Sequence, residues 1–408
     1  MRSSLSGGLP STLGDCNRIR ELDGLRGVAI AMVVFYHYFQ GVMVVPPGSA
    51  LAYLQAATRL SWTGVDLFFV LSGFLIGGIL LDSRDSTNYY SVFYKRRFFR
   101  IIPIYLVTLV LGAALVSLRL GPTSGASRWL TMEGAPWFAY LTFTQNFWMA
   151  HAGSIGSNGL AMTWSLAVEE QFYLMVPLYI RALSRRWLAR FLVIGICSAP
   201  LLRTLLLRFA SDTSIGTYTM TLCRADALLL GVLAAVLLRD DRWRERIRNA
   251  SVTFYISIPV LLLGLGVLTL RAWNPAASLL KTVGYTWVAL FYVTILLFVL
   301  TRPESRLNRI LRMKWLCWLG TLAYGIYLFH TGVQYLLFGL IWGRGATINN
   351  IPTFMVTVAA VPLTLLLAML SWKYIEQPLI RVGRRSDFEF GGAETLETPP
   401  AGVRLVYR

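Results

Sequence analysis

His37 lies inside an apolar run, eleven positions after Arg26. At about 100° per residue, that separation returns two helical side chains to within about 20° of one azimuth, so Arg26 and His37 share one stripe. A second group is the row Ser165, Glu169 and Tyr173, spaced i, i+4, i+8. Residues four apart share a helix face, so Glu169 points inward with Ser165. The adjacent Glu170 points about 100° away, toward solvent or a structural partner. A third group, Lys95, Arg96, Arg97 and Arg100, precedes Pro103 at the mouth of another apolar run. Arginines three apart lie on one helix face, and paired guanidiniums suit phosphate through bidentate hydrogen bonds. The competing role of this cluster is lipid-headgroup anchoring and topology. His330, Asp66, Arg203, Arg224 and Asp226 also fall within apolar runs. Ionisable groups at such positions face a bundle interior, pair with each other or perform chemistry. Arg224 and Asp226 read equally as ion-pair members or as substrate-binding groups.

The elements that must position these residues are membrane helices. The chain has 408 residues, is 56% hydrophobic and only 14% charged, and has a mean hydropathy of +0.57. Soluble domains carry roughly 25% charge. Apolar runs near 24–45, 61–82, 101–120, 162–181, 187–207, 219–238, 252–271, 282–300, 316–340 and 352–375 each approach the roughly 20 residues that cross a bilayer core. The expected fold is an all-α polytopic membrane helix bundle of about ten transmembrane helices.

The segment 137–149 is short and holds Gln145 and Asn146. Were it a span, the arginine-rich stretch after Ile180 would be external, against the positive-inside rule. As an interfacial or re-entrant segment, it leaves every basic cluster on one side and both termini cytoplasmic. At 1.5 Å per residue, His37 and His330 then lie about 20 Å from the cytoplasmic end, and Glu169 lies about 10 Å in from outside. The three would share one layer, with Asp66, Arg203, Arg224 and Asp226 also in the outer half. The expected layout is a cytoplasmic tail over 1–18, a transmembrane domain over 19–380 and a cytoplasmic tail over 381–408. The latter contains Gly-Gly and Pro-Pro and reads as disordered.

The net charge of +18 sits in short clusters between apolar runs, which is a topology signal rather than a nucleic-acid surface, so no nucleic-acid partner is expected. Cys16, Cys197, Cys223 and Cys317 follow no CxxC spacing, indicating neither a zinc site nor a disulfide framework. The first residues hold no apolar h-region of a cleavable signal. HExxH, GxSxG and GxxxxGK[ST] are all absent, so no metal, hydrolase-elbow or ATP-driven chemistry is indicated.

The segments RELDGLRGVAIAMVVFYHYF (20–39), GVDLFFVLSGFLIGGIL (64–80), FYKRRFFRIIPIY (93–105), TWSLAVEEQFYL (163–174), RADALLLG (224–231), YGIYLFH (324–330) and YIEQP (374–378) resemble, in order, the motifs of bacterial acyltransferase family 3. These are integral membrane O-acyltransferases. The resemblance covers roughly 19–380 and implies a stand-alone member of the bacterial inner membrane, without the SGNH esterase-like domain of many relatives. It implies that His37 is the essential catalytic histidine and that Arg97 and Arg100 form the pair meeting a cytosolic acyl donor, with Lys95, Arg96 and Arg26 beside them. Trp164, Ser165 and Glu169 match the WSLxxExxFY motif. Arg224, Asp226, Tyr327 and His330 match further motif positions, and Asp66 falls in the second segment.

The implied donor is acetyl-CoA or another acyl-CoA, used as co-substrate with no tightly bound cofactor. The implied acceptor is a hydroxyl of an extracytoplasmic glycan, free or lipid-linked: lipopolysaccharide, exopolysaccharide or peptidoglycan. His37 would act as general base or carry the acyl group, with Glu169 orienting it. Trp137 and Trp148 would cover the site or serve as ordinary interfacial anchors among membrane lipid. The alternatives are acylation of a small molecule such as a macrolide, or a proton-coupled transporter or flippase using His37, Glu169 and Asp226.

Overall fold

The computed structural model describes residues 19–46, 48–117, 135–155, 159–209, 214–271 and 279–390. The expected cytoplasmic tail 1–18, and the part of the expected tail 381–408 from 391 onward, lie outside them. Among the described residues, ten long helices form the bundle: α1 (Arg20–Phe35), α2 (Gly64–Asp82), α3 (Tyr89–Ser117), α4 (Thr163–Ala182), α5 (Arg185–Phe209), α6 (Thr221–Leu238), α7 (Ser251–Arg271), α8 (Tyr285–Thr301), α9 (Lys314–Trp342) and α10 (Ile351–Ser371). Each coincides with one expected apolar run. All but α1 and α4 lie within helices long and apolar enough to cross a membrane. Those two carry Arg26 with His37 and Glu169 with Glu170, which lower their hydropathy. The result is an all-α, multi-pass membrane protein.

Close backbone approach sets which helices are neighbours. On α1, Gly24 and Gly27 lie against the backbone of Leu311 and Leu316, and Gly320 of α9 lies against Asp23. A Cβ at any of the three would collide, so α1 and α9 pack as small-residue membrane helices do. The same device joins α2 to α6, where Gly73 meets Leu228 and Gly231 meets Val70. The first contact brings His37 and His330 together; the second brings Asp66 to Arg224.

Three features depart from regular helices. After Phe35, α1 continues as a π-turn, Tyr36–Gln40, with His37 as its second residue. A π-turn rotates the side chains beyond it and recurs at functional sites, so the regular-helix azimuth does not hold for His37. Second, α3 starts at Tyr89, well before the expected 101, so the basic cluster stands inside the helix rather than ahead of it. Third, the 137–149 segment forms two short helices, Trp137–Leu141 and Gln145–His151, separated at Phe143, whose φ is +54°. At 1.5 Å per residue neither reaches about 11 Å, far short of a bilayer core. Gln145 donates to the Thr163 carbonyl at 3.0 Å, Asn146 to the Thr219 carbonyl at 3.1 Å, and Gln171 to the Phe143 carbonyl at 2.6 Å. The segment is thereby tied to α4 and to the start of α6.

The expectation of a disordered tail from 381 does not hold over 381–390. A short helix, Gln377–Gly383, packs beside α3, and Thr87 donates its N–H to the Glu389 carbonyl at 2.8 Å.

Candidate active site

Two histidines meet at the C-terminal end of α1. His37 Nδ1 lies 2.9 Å from the Val33 carbonyl oxygen and 3.2 Å from His330 Nε2. The His330 ring is fully buried, with Nδ1 2.7 Å from the Tyr327 carbonyl oxygen. Tyr38 donates to the His330 carbonyl at 2.7 Å and shares a 2.7 Å bond with Thr364 of α10. His37 lines a small cavity of about 20 Å³ with Tyr36, Trp62, Trp164, Tyr218 and Tyr327. That volume holds about one water molecule. The hydroxyls of Ser165 and Tyr327 are hydrogen-bonded to each other, and Tyr327 also meets the Met162 carbonyl at 2.8 Å.

Glu169 sits lower and does not orient His37. Its carboxylate accepts from Ser72 of α2 at 2.9 Å and from Tyr173 at 3.0 Å. Ser165, one turn toward the N-terminal end of α4, is level with Tyr327, and His330 lies almost a turn beyond that. The helix rise therefore leaves Glu169 about 10 Å short of the histidines. Glu170 points away from Ser72, as two adjacent helical residues must, but not into solvent. Its Oε1 is buried without a hydrogen-bond partner among the described residues, and the carboxyl faces Arg97.

Below Glu169, three arginines gather. The charged groups acting on Arg26 include Arg100 and Arg97, and Arg97 lies over the Tyr173 ring at 5.4 Å. Among the described residues, Arg26, Arg97 and Arg100 make no hydrogen bond or ion pair, although Glu169 faces two of them. Lys95 and Arg96 do not join this cluster. Lys95 donates to the Ser386 hydroxyl at 2.7 Å, and Arg96 donates to the Ser386 carbonyl and to Asp387 at 2.6 Å. Both are engaged by the chain after α10, Arg96 even though it lies on the Arg100 side of α3, so their expected role at the donor does not fit this geometry.

Behind the aromatic cavity lie two fully buried ion pairs, Asp66–Arg224 at 2.5 Å and Arg203–Asp226 at 3.0 Å. Thr286 of α8 donates to Asp226 at 2.6 Å and accepts from Arg203 at 2.6 Å. The Arg224 guanidinium lies 4.3 Å from the Tyr285 ring centroid and 5.3 Å from that of Tyr218, a cavity-lining residue. Arg224 and Asp226 thus brace the cavity wall from behind. Removing one member of such a pair strands a buried charge and typically costs about 3–5 kcal/mol. Asp66→Ala is therefore expected to lower the thermal unfolding temperature of the purified protein by many degrees; an unchanged unfolding temperature would contradict this bracing role.

Ser72, Tyr36, Trp62 and Tyr218 were not singled out from sequence. Ser72, a lone hydroxyl inside the apolar GVDLFFVLSGFLIGGIL run, carried a readable signal. The three aromatics did not, since interfacial aromatics are ordinary in membrane helices. Among the described residues, no group of three His, Cys, Asp or Glu gathers to hold a metal.

The fold and site are those of a polytopic membrane protein with a histidine pair, His330 buried and His37 half-buried, set apart from an arginine cluster. Residues 19–373 match the family model described as an acyltransferase domain, and the chain belongs to that acyltransferase family 3. Similar proteins include Peptidoglycan O-acetyltransferase OatA of Listeria monocytogenes, 29% identical over 387 residues, covering 90% of this chain and 56% of that protein. O-acetyltransferase OatA of Staphylococcus aureus is 25% identical over 383 residues, covering 89% of this chain and 57% of that protein. The chain thus spans just over half the length of these relatives. No solved structure matches it.

Proposed function

We propose that the protein is a membrane O-acyltransferase that moves an acyl group, in the first instance acetyl, from cytosolic acyl-CoA to a hydroxyl of an extracytoplasmic glycan. The observation that carries this reading is the gathering of Arg26, Arg97 and Arg100 at the basic end of the bundle with no hydrogen-bonded or ion-paired acidic partner among the described residues. Guanidiniums gathered inside a bundle, faced by carboxylates such as Glu169 and Glu170 but ion-paired with none of them among the described residues, suit a polyanion, and guanidiniums bind phosphate in bidentate fashion. The phosphates of coenzyme A are such a polyanion. A lipid headgroup is a weaker match, because Arg26 and Arg97 lie inside the bundle rather than on its rim.

From Arg26 to His37 the rise of α1 covers about 16 Å, a distance suited to an extended pantetheine arm. The thioester would then lie beside His37, and the acceptor hydroxyl would enter from the outer side past Trp62, Trp164 and Tyr218. The cavity is smaller than a sugar, so this aromatic wall must part to admit one. His37 acts as general base. The acceptor oxygen forms a bond to the acyl carbon, the carbon–sulfur bond breaks, and the hydroxyl proton passes to His37 and then to the departing thiolate. Glu169, held by Ser72 and Tyr173, partly balances Arg26 and Arg97 when no anion is bound. The names of the relatives support acetyl as the group and a peptidoglycan-like glycan as the acceptor.

Proteoliposomes given acetyl-labelled acetyl-CoA and an envelope glycan preparation are expected to form base-labile, ester-linked label. Finding no labelled ester with lipopolysaccharide, exopolysaccharide or peptidoglycan preparations would overturn the glycan reading.

A further inference from the structure

Hydrogen-bond partners fix the proton positions of both histidines. The Val33 carbonyl oxygen, 2.9 Å from His37 Nδ1, can only accept, so that nitrogen carries a hydrogen. The Tyr327 carbonyl oxygen, 2.7 Å from His330 Nδ1, places a hydrogen there for the same reason. The facing atoms, His330 Nε2 and His37 Nδ1, are 3.2 Å apart and need one donor between them. A second hydrogen on His330 Nε2 would set two N–H groups against each other. Moving the hydrogen off His37 Nδ1 would instead oppose its lone pair to the Val33 oxygen. One arrangement satisfies all the contacts: His330 is neutral, and the single hydrogen on His37 Nδ1 is shared between the Val33 carbonyl oxygen and His330 Nε2.

We propose that His330 is a positioning residue for acyl transfer, its bare Nε2 holding the Nδ1–H of His37 so that the other nitrogen, Nε2 of His37, is the base presented to the cavity. The inference rests on the acyl-transfer reading above. When His37 Nε2 takes the acceptor's proton, positive charge forms on that ring and the bond to His330 becomes charge-assisted, hence stronger. Return of the proton to the coenzyme A thiolate restores the neutral pair. A histidine serves here where a carboxylate would add a charge to be buried in hydrocarbon.

The surroundings hold His330 rigidly. Tyr38 fixes its carbonyl, and Gln334 in turn donates to the Tyr38 carbonyl at 3.2 Å. The titratable side chains facing the two rings are Tyr36, Tyr38, Tyr327 and, across the cavity, Tyr218. No carboxylate or cation acts on either ring among the described residues.

The test is the rate of acyl transfer in proteoliposomes, normalised to folded protein, for wild type, His37→Ala, His330→Ala and His330→Gln. The glutamine oxygen can accept from His37 where the imidazole nitrogen did. The expected result is a fall in kcat of roughly 100-fold for His330→Ala, the lower end of what a positioned general base contributes, with KM for acetyl-CoA unchanged, and recovery of most of that loss by His330→Gln. Wild-type turnover in His330→Ala would overturn the inference, and so would equal losses in both His330 variants, which would mark a packing role. Retained activity in His37→Ala would instead sink the acyl-transfer mechanism on which the inference rests, so the two failures are distinguishable.

Discussion

Replacing His37 with alanine is expected to lower acyl-transfer turnover by roughly 10²- to 10⁴-fold, the range a general base contributes. The size follows from position. His37 lines the aromatic cavity, and His330 and the Val33 carbonyl occupy its other nitrogen. Among the described residues, no second base lines that cavity, because Glu169 is tied to Ser72 and Tyr173 a level below. Alanine removes the base while leaving the Arg26, Arg97 and Arg100 cluster in place, so KM for acetyl-CoA is expected to stay within about threefold of wild type. Steady-state kinetics with labelled acetyl-CoA separates the two constants. A KM rise with unchanged kcat would place His37 in donor binding instead.

The second large effect belongs to the arginines. A hydrogen bond to a charged group contributes about 1.5–3 kcal/mol, so Arg97→Ala and Arg100→Ala should each weaken acetyl-CoA binding by roughly 10- to 100-fold. Two contacts on one ligand couple, so the double variant is expected to fall short of the product of the single losses. Lys95→Ala and Arg96→Ala supply the contrast. Both residues are engaged by Ser386, and Arg96 also by Asp387, so binding should change by less than about threefold. Calorimetric titration of the purified protein with acetyl-CoA measures all five. Equal losses at Arg96 and Arg97 would mean that general positive charge, rather than the inward arginine face, attracts the donor.

Much of the architecture was legible because membrane physics is strict. Each apolar run became one helix, and the short, polar 137–149 segment did not span, as the charge pattern required. The row Ser165, Glu169 and Tyr173 points into the bundle because four-residue spacing fixes a helix face. The partners of that row were not legible. Depth counted by helix rise placed Glu169 near the histidines, yet an error of one turn on each of α4 and α9 amounts to about 10 Å, enough to exchange His37 for Ser72. The π-turn at Tyr36–Gln40 contains no proline or glycine to announce it. The separation of Arg96 from Arg97 depends on Ser386 and Asp387, 290 and 291 positions away in the chain, and no local pattern reports such a contact. The glycines of α1, α2, α6 and α9 were visible in the sequence, but which backbone each would meet was not.

In the proposed reaction one chain passes an acyl group from a donor on the basic, cytoplasmic face to an acceptor on the other through His37. Inverted membrane vesicles carrying wild type or His37→Ala at matched levels, given acetyl-labelled acetyl-CoA on their exposed cytoplasmic face, test it most directly. Ester-linked label on lumenal glycan is expected with wild type and none above background with His37→Ala. Equal labelling by the two proteins, or labelling that requires acetyl-CoA inside the lumen, would contradict it.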